Sequence, residues 1–304
     1  MSNKDLPRRI PLVVPREMQA VLGGLSGMIA TVALHPLDVL KVRMQICPQN
    51  LSTAAVYSHI MRCEGPKTLF SGLSAALLRQ ATYTPVRLGA FYYLYDQHLN
   101  ATCGVAPSLK DKIKMGMYAG MAGALIGCPA EVVLIRKMGD GRMDSYDKQW
   151  HHCPRPYRGL LDGFRKIFVC DGICGYWRGA FLSLTRAALL NAVQIATYTK
   201  VCESLINKEM SGTSLNLMTA FCTSVITALI TLPIDVIKTR FQYLERGCTY
   251  GDVYSCLMKE RGMSGLFKGF TPYCIRLFAH TFITFAILEQ LIQLYEKENS
   301  IKKK

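Results

Sequence analysis

Residues 36–45 read Pro36-Leu37-Asp38-Val39-Leu40-Lys41-Val42-Arg43-Met44-Gln45, and nearly the same decapeptide returns as Pro233-Ile234-Asp235-Val236-Ile237-Lys238-Thr239-Arg240-Phe241-Gln242. A third copy, Pro129-Ala130-Glu131-Val132-Val133-Leu134-Ile135-Arg136, lies between them. The three prolines stand 93 and 104 residues apart, close to one third of a 304-residue chain. Self-similarity at a long fixed period marks a repeat architecture, with each copy one supersecondary unit.

The register extends in both directions from the prolines. Thirteen and nine positions before them stand Gly23 and Gly27, Gly116 and Gly120, Ala220 and Ser224. Each is a small-xxx-small pair, which lets helix backbones approach closely where lipid supplies no hydrophobic drive. Downstream, Glu64-Gly65 leads to Phe70-Ser71-Gly72, Asp171-Gly172 to Trp177-Arg178-Gly179, and Gly262 to Phe267-Lys268-Gly269. Each repeat therefore reads as helix, short amphipathic connector, helix.

Uncharged runs put these helices in a bilayer. Met18 to Leu37, Met115 to Ala130 and Met210 to Ile234 carry no formal charge over 20, 16 and 25 positions. The first and third are long enough to span a hydrocarbon layer of ~30 Å. Shorter apolar runs beside arginines, Leu88 to Tyr95, Ala187 to Thr199 and Leu277 to Leu288, supply the other three of six spans. Composition agrees: 50% of residues are hydrophobic and only 19% charged, with a mean hydropathy of +0.17. Lys and Arg exceed Asp and Glu by 36 to 21, a net charge of +15, yet no basic face or tail stands out, so nucleic acid is not an expected partner.

Metal and disulfide frameworks are not indicated. The twelve cysteines form no CxxC pair, and the densest clusters, His151-His152-Cys153 and Cys170 with Cys174, lack a matching second pair. Pro7, Pro11 and Pro15 prevent the amphipathic helix of a transit peptide.

The tripled P-x-[DE]-x-x-[KR]-x-[KR], followed by an acidic-Gly and an aromatic-basic-Gly element, resembles the mitochondrial carrier family over nearly the whole chain. The resemblance implies an all-α membrane protein of six transmembrane helices in three pseudo-threefold-related repeats, each with a short connector helix. The expected division is a segment 1–16, repeats 17–106, 107–210 and 211–298, and a basic tail 299–304. It also implies internal targeting to the mitochondrial inner membrane, termini facing the intermembrane space, and function as a monomer. The segments LSAALLRQATY, PAEVVLIR, TRAALLNAVQIATY and FKGFTPYCIRL are similar to members that exchange dicarboxylates, 2-oxoglutarate against malate. The basic surplus is expected to hold anionic lipid, cardiolipin included, at helix N-termini near the connectors.

Two residue sets carry the expected function. Asp38 and Lys41 are three apart and share a helix face. With Glu131, Asp235 and Lys238 they form, by the resemblance, a matrix gate in which Lys41 meets Glu131, Lys238 meets Asp38, and Gln45 and Gln242 brace the pairs. Leu134 replaces the second repeat's cation, leaving Asp235 unpartnered, Met138 replaces its bracing Gln, and Arg261 stands where the third repeat should have its acid. No ionic gate follows at the opposite end, where Tyr92, Thr199, Glu289, Tyr95, Cys202 and Ile292 occupy the corresponding positions.

The second set is the arginines. Seven residues after Gly72, Gly179 and Gly269 stand Arg79, Arg186 and Arg276, one per repeat at one depth. A central membrane arginine costs ~2.5 to 3.5 kcal/mol even on the lenient insertion scale, and acids are scarce on these helices. Guanidinium forks match carboxylates bidentately, so three of them suit a small dianion, with Tyr83 and Arg87 following Arg79 on one face. His280, at the offset from Arg276 that Tyr83 has from Arg79, and Asn191 are further candidate contacts; Gln194 is placed near them without a role. No nucleophile–base pair or metal cluster accompanies the arginines, so neither an enzyme nor a cofactor is expected. An uncoupling-type proton carrier, a dicarboxylate/phosphate exchanger and, from another class, a non-transporting scaffold or receptor remain alternatives.

Overall fold

A computed structural model describes residues 16–47, 51–140, 157–206, 212–244 and 248–302. These form nine α-helices: α1 (Arg16–Ile46), α2 (Thr53–Cys63), α3 (Leu73–Ala101), α4 (Leu109–Gly139), α5 (Leu160–Asp171), α6 (Ala180–Ile206), α7 (Gly212–Tyr243), α8 (Tyr250–Arg261) and α9 (Phe270–Lys302). Single 3₁₀ turns, Pro66–Phe70, Ile173–Trp177 and Gly262–Phe267, join each short helix to the long one that follows. The three expected helix–connector–helix units are all present. The cluster His151-His152-Cys153 lies outside the described residues, as do residues 1–15 and 303–304 and the side chain of Arg261.

The six long helices close into a ring, each packed on its neighbours in chain order and α9 returning to α1. Five of them are long and apolar enough to cross a membrane; α3 is the exception by composition, carrying Arg79, Arg87 and Asp96. Outward faces are apolar at helical spacing, with Val21, Leu25, Ile29 and Val32 exposed along α1 and Phe282 and Phe285 along α9. Such a stripe suits acyl chains as its solvent.

Pro36, Pro129 and Pro233 sit inside α1, α4 and α7. A proline removes one backbone hydrogen bond and bends the helix, and past these bends the three helices meet one another at one end of the ring. The even-numbered members of the six begin at that same end. Gly72, Gly179 and Gly269 each adopt a φ of +74° to +85° there, and a Cβ on Gly72 or Gly179 would lie 3.1 Å from Leu134 or 3.0 Å from Gln242. Three of the six small residues predicted to admit close packing do so: Gly27 faces Gln80, and Gly116 and Gly120 face Ile195 and Asn191.

Connector clasps finish the converging end. Arg43, Arg136 and Arg240 pair with the connector acids Glu64, Asp171 and Glu260 at 2.6, 2.5 and 2.8 Å. Their Nε atoms donate to carbonyls one residue from the end of the next proline-bearing helix, Met138 of α4 at 3.0 Å, Gln242 of α7 at 3.2 Å and Gln45 of α1 at 2.8 Å. The third repeat's acid is Glu260, one position earlier than expected, so the basic residue at 261 leaves the clasp intact.

Candidate functional site

Direction of the chain brings the two expected residue sets together. Arg79, Arg186 and Arg276 lie two turns above the starts of α3, α6 and α9, ~10 Å at 1.5 Å per residue. Asp38, Glu131 and Asp235 lie a similar number of residues from the ends of α1, α4 and α7, which run the other way. Acids and arginines therefore meet at one level, just above the converging end.

The ion pairs there differ from the sequence expectation in sense. Lys41 pairs with Asp235, and Lys238 with Glu131 at 2.8 Å; Lys41 does not meet Glu131, nor Lys238 Asp38. Each lysine lies one turn nearer the converging end than its own acid, and the acid it meets is that of the preceding unit in the ring. Spacing places the lysine on the acid's face but contains no information about that hand. It is thus Asp38, not Asp235, that Leu134 deprives of a ring cation. Leu134, Met138 and Tyr243 instead join one apolar cluster.

The two glutamines reach the acids of the pairs that form, not of the pairs expected, one of them through a relay. Gln45 donates to Asp235 at 3.2 Å. Gln242 donates to the Ser183 hydroxyl at 3.2 Å, and that hydroxyl donates to Glu131 at 3.2 Å.

Two of the three arginines have internal partners. Arg186 pairs with the same Asp235 carboxylate that holds Lys41, and Arg276 pairs with the orphaned Asp38. The partners come from α1 and α7, so scarcity of acids on α6 and α9 was no guide. Arg79 has no carboxylate within ion-pair distance among the described residues; its guanidinium lies 5.9 Å from the Tyr83 ring. Arg87 lies 5.8 Å from the same ring and donates to Asn191 Oδ1 at 3.2 Å. Asn191 in turn donates to the Ala187 carbonyl at 2.7 Å. His280 approaches the Thr284 hydroxyl at 3.4 Å.

One residue at this level was not singled out from the sequence. Tyr273, fully buried on α9, touches Lys41, Arg186 and Thr231. Its position four residues after Gly269 holds Ala76 and Ser183 in the other repeats, so the repeat pattern gave no signal.

The charge balance is informative. Asp38, Glu131 and Asp235 face Lys41, Lys238, Arg79, Arg186 and Arg276, three negative charges against five positive. Two cationic charges are left over in a low-dielectric setting where each unpaired charge is costly. Such a site attracts a small dianion and can hold it by two guanidinium forks.

A family model described as mitochondrial carrier protein matches residues 18–100, 107–209 and 211–299. The chain is 36% identical over 306 residues to the mitochondrial 2-oxoglutarate/malate carrier protein of Mus musculus, covering 94% of each. It is 33% identical to the probable mitochondrial 2-oxoglutarate/malate carrier protein of Dictyostelium discoideum over 98% of this chain and 97% of that one. It is also 30% identical to mitochondrial uncoupling protein 5 of Arabidopsis thaliana, over 90% and 96%.

Proposed function

Since the chain belongs to the mitochondrial carrier family, transporters rather than enzymes, we propose that it exchanges small dicarboxylates across the mitochondrial inner membrane, 2-oxoglutarate against malate. The observation that carries the substrate class is the surplus of two positive charges at the level of Arg79, Arg186 and Arg276, with Arg79 lacking a carboxylate partner among the described residues. The names of the relatives that align over more than nine tenths of the chain supply the pair of substrates.

Binding and gate opening are coupled by competition. One substrate carboxylate lands on Arg79. The other displaces Asp235 from Arg186 or Asp38 from Arg276, and a released Asp235 weakens its hold on Lys41. The substrate's differential affinity for the loosened state is what shifts the equilibrium, and the bundle rocks around the fixed site to expose it on the other side. An empty site keeps its surplus of two positive charges, which disfavours return without cargo and makes the exchange obligatory. Tyr83 and Arg87 continue the basic face above Arg79 and steer the anion inward, with Asn191 orienting Arg87 and His280 lining the α9 side.

In this reading the converging end is the matrix gate and both termini face the intermembrane space, with the carrier working as a monomer. Anionic lipid, cardiolipin among it, seats where the connector meets the long helix; the cleft of about 280 Å³ lined by Asp171, Cys174, Gly175, Arg178, Gly179, Phe241 and Tyr250 is one such place.

Proteoliposomes decide the matter. Vesicles loaded with malate should take up labelled 2-oxoglutarate rapidly, while empty vesicles should not. Equal uptake into both contradicts exchange, and phosphate countertransport selects a dicarboxylate/phosphate exchanger. The similarity to an uncoupling protein favours one further reading, proton conduction; fatty-acid-stimulated proton leak without dicarboxylate exchange would select it.

A further inference from the structure

We infer that Tyr273 is a positioning residue that joins the substrate arginine to the gate, a role that rests on the dicarboxylate reading and adds a residue to it. The ring and the hydroxyl have separate partners on three different helices. Lys41 Nζ of α1 lies 3.7 Å above the ring centroid, a cation–π distance at which a desolvated ammonium is held firmly. The hydroxyl accepts from Arg186 Nη2 of α6 at 3.4 Å and lies 3.1 Å from the Thr231 hydroxyl of α7. Tyr273 itself is 0% exposed, so these contacts are made out of water.

Both cations that Tyr273 touches are also partners of Asp235. When a substrate carboxylate displaces Asp235 from Arg186, the hydroxyl keeps the guanidinium facing the site. Meanwhile the ring retains Lys41, so the ammonium is never left without a partner while the gate changes state. The hydroxyl therefore sets how readily substrate finds Arg186, and the ring sets how tightly the empty gate stays shut. Thr231 fixes the hydroxyl's direction, since its own hydroxyl is tied to the Thr227 carbonyl at 2.7 Å.

The test uses the full chain, in malate-loaded liposomes for exchange and in detergent for site-resolved N-ethylmaleimide labelling of Cys128, a buried free thiol on α4 three residues before Glu131. Tyr273→Phe should raise the KM for malate about tenfold with a change of about twofold or less in maximal rate, and leave Cys128 labelling as in the wild type. Tyr273→Leu should raise the KM similarly and also speed Cys128 labelling about tenfold, because the ring is gone. Thr231→Val keeps the ring packed and should reproduce the Phe variant's KM, the double variant adding nothing further. A purely structural role would lower thermal stability and maximal rate together, leaving KM unmoved in Phe and Val variants; that result, or equal labelling in Phe and Leu variants, overturns the assignment. If wild-type protein takes up no malate the dicarboxylate reading fails by itself, and the labelling comparison still decides whether the ring holds the gate.

Discussion

Arg186 on α6 and Asp235 on α7 are ion-paired, although one belongs to the expected substrate site and the other to the expected gate. Their side chains are 17% and 5% exposed, so neither charge is satisfied by water alone. Removing one partner of such a pair leaves the other charge buried, which typically costs ~3 to 5 kcal/mol.

That relationship separates a structural arginine from a substrate-binding one. Arg186→Ala should lower exchange by about 100-fold or more, the scale of losing a charged fork to a carboxylate. The charge swap Arg186→Asp with Asp235→Arg should melt above Asp235→Arg alone, because that pair re-forms, but below the wild type, because Lys41 has lost its own carboxylate. Exchange should stay lost, since a carboxylate then stands where the substrate's carboxylate must land. Recovery of exchange in the swap, measured in loaded liposomes, would assign Arg186 to structure only.

How far the sequence revealed this arrangement depends on what a period can encode. Three prolines, three acids and three arginines at fixed offsets give six helices, their connectors and two functional levels, because each offset is a height along a helix. That the levels coincide was hidden in the antiparallel run of α1, α4 and α7 against α3, α6 and α9. The hand of the lysine–acid ring was hidden because spacing fixes a height along one helix and not which neighbouring helix supplies the acid. Tyr273 escaped because it breaks the repeat, and Glu260 because it is displaced by one position from it.

Leu134 gives the ring its gap and so offers a gain-of-contact test. Leu134→Lys should provide Asp38 with a ring cation and release Arg276 from it. The gate then has a third pair to break before opening, and ~1.4 kcal/mol per pair corresponds to a tenfold slower turnover. Exchange about tenfold slower, with a higher melting temperature, is the expected outcome. Faster exchange without a change in melting would mean that Leu134 seals the gate only by its apolar bulk.

The connector clasps should rank by burial. Arg136 and Asp171 are 0% and 3% exposed at the side chain, whereas Arg240 and Glu260 are 8% and 14%. Asp171→Asn leaves a fully buried guanidinium uncompensated and should cost ~3 to 5 kcal/mol, enough to lose most folded protein. Glu260→Gln should lower the melting temperature less, because solvent reaches its pair. Thermal unfolding in detergent gives the order; a larger loss for Glu260→Gln would contradict burial as the deciding factor.

Gly139 and Tyr243 test whether the apolar floor beneath the ion pairs has to close for transport. Both end their helices ten residues after the repeat proline, and the 1% exposed Tyr243 ring fills the space that a side chain at 139 would take. The Tyr243 hydroxyl donates to the Gly139 carbonyl at 3.2 Å, and a Cβ at 139 would also come within 2.8 Å of Ile46. Gly139→Ala should therefore prop the converging end open, since overpacking a filled interior costs ~1 to 3 kcal/mol, and exchange should fall while Cys128 becomes easier to label. Gly139→Ala with Tyr243→Ala restores room for the new methyl, so exchange should return in part, although the smaller floor leaks more substrate from vesicles placed in substrate-free buffer. A double variant as inactive as Gly139→Ala alone would show that the glycine is needed for something other than admitting the Tyr243 ring.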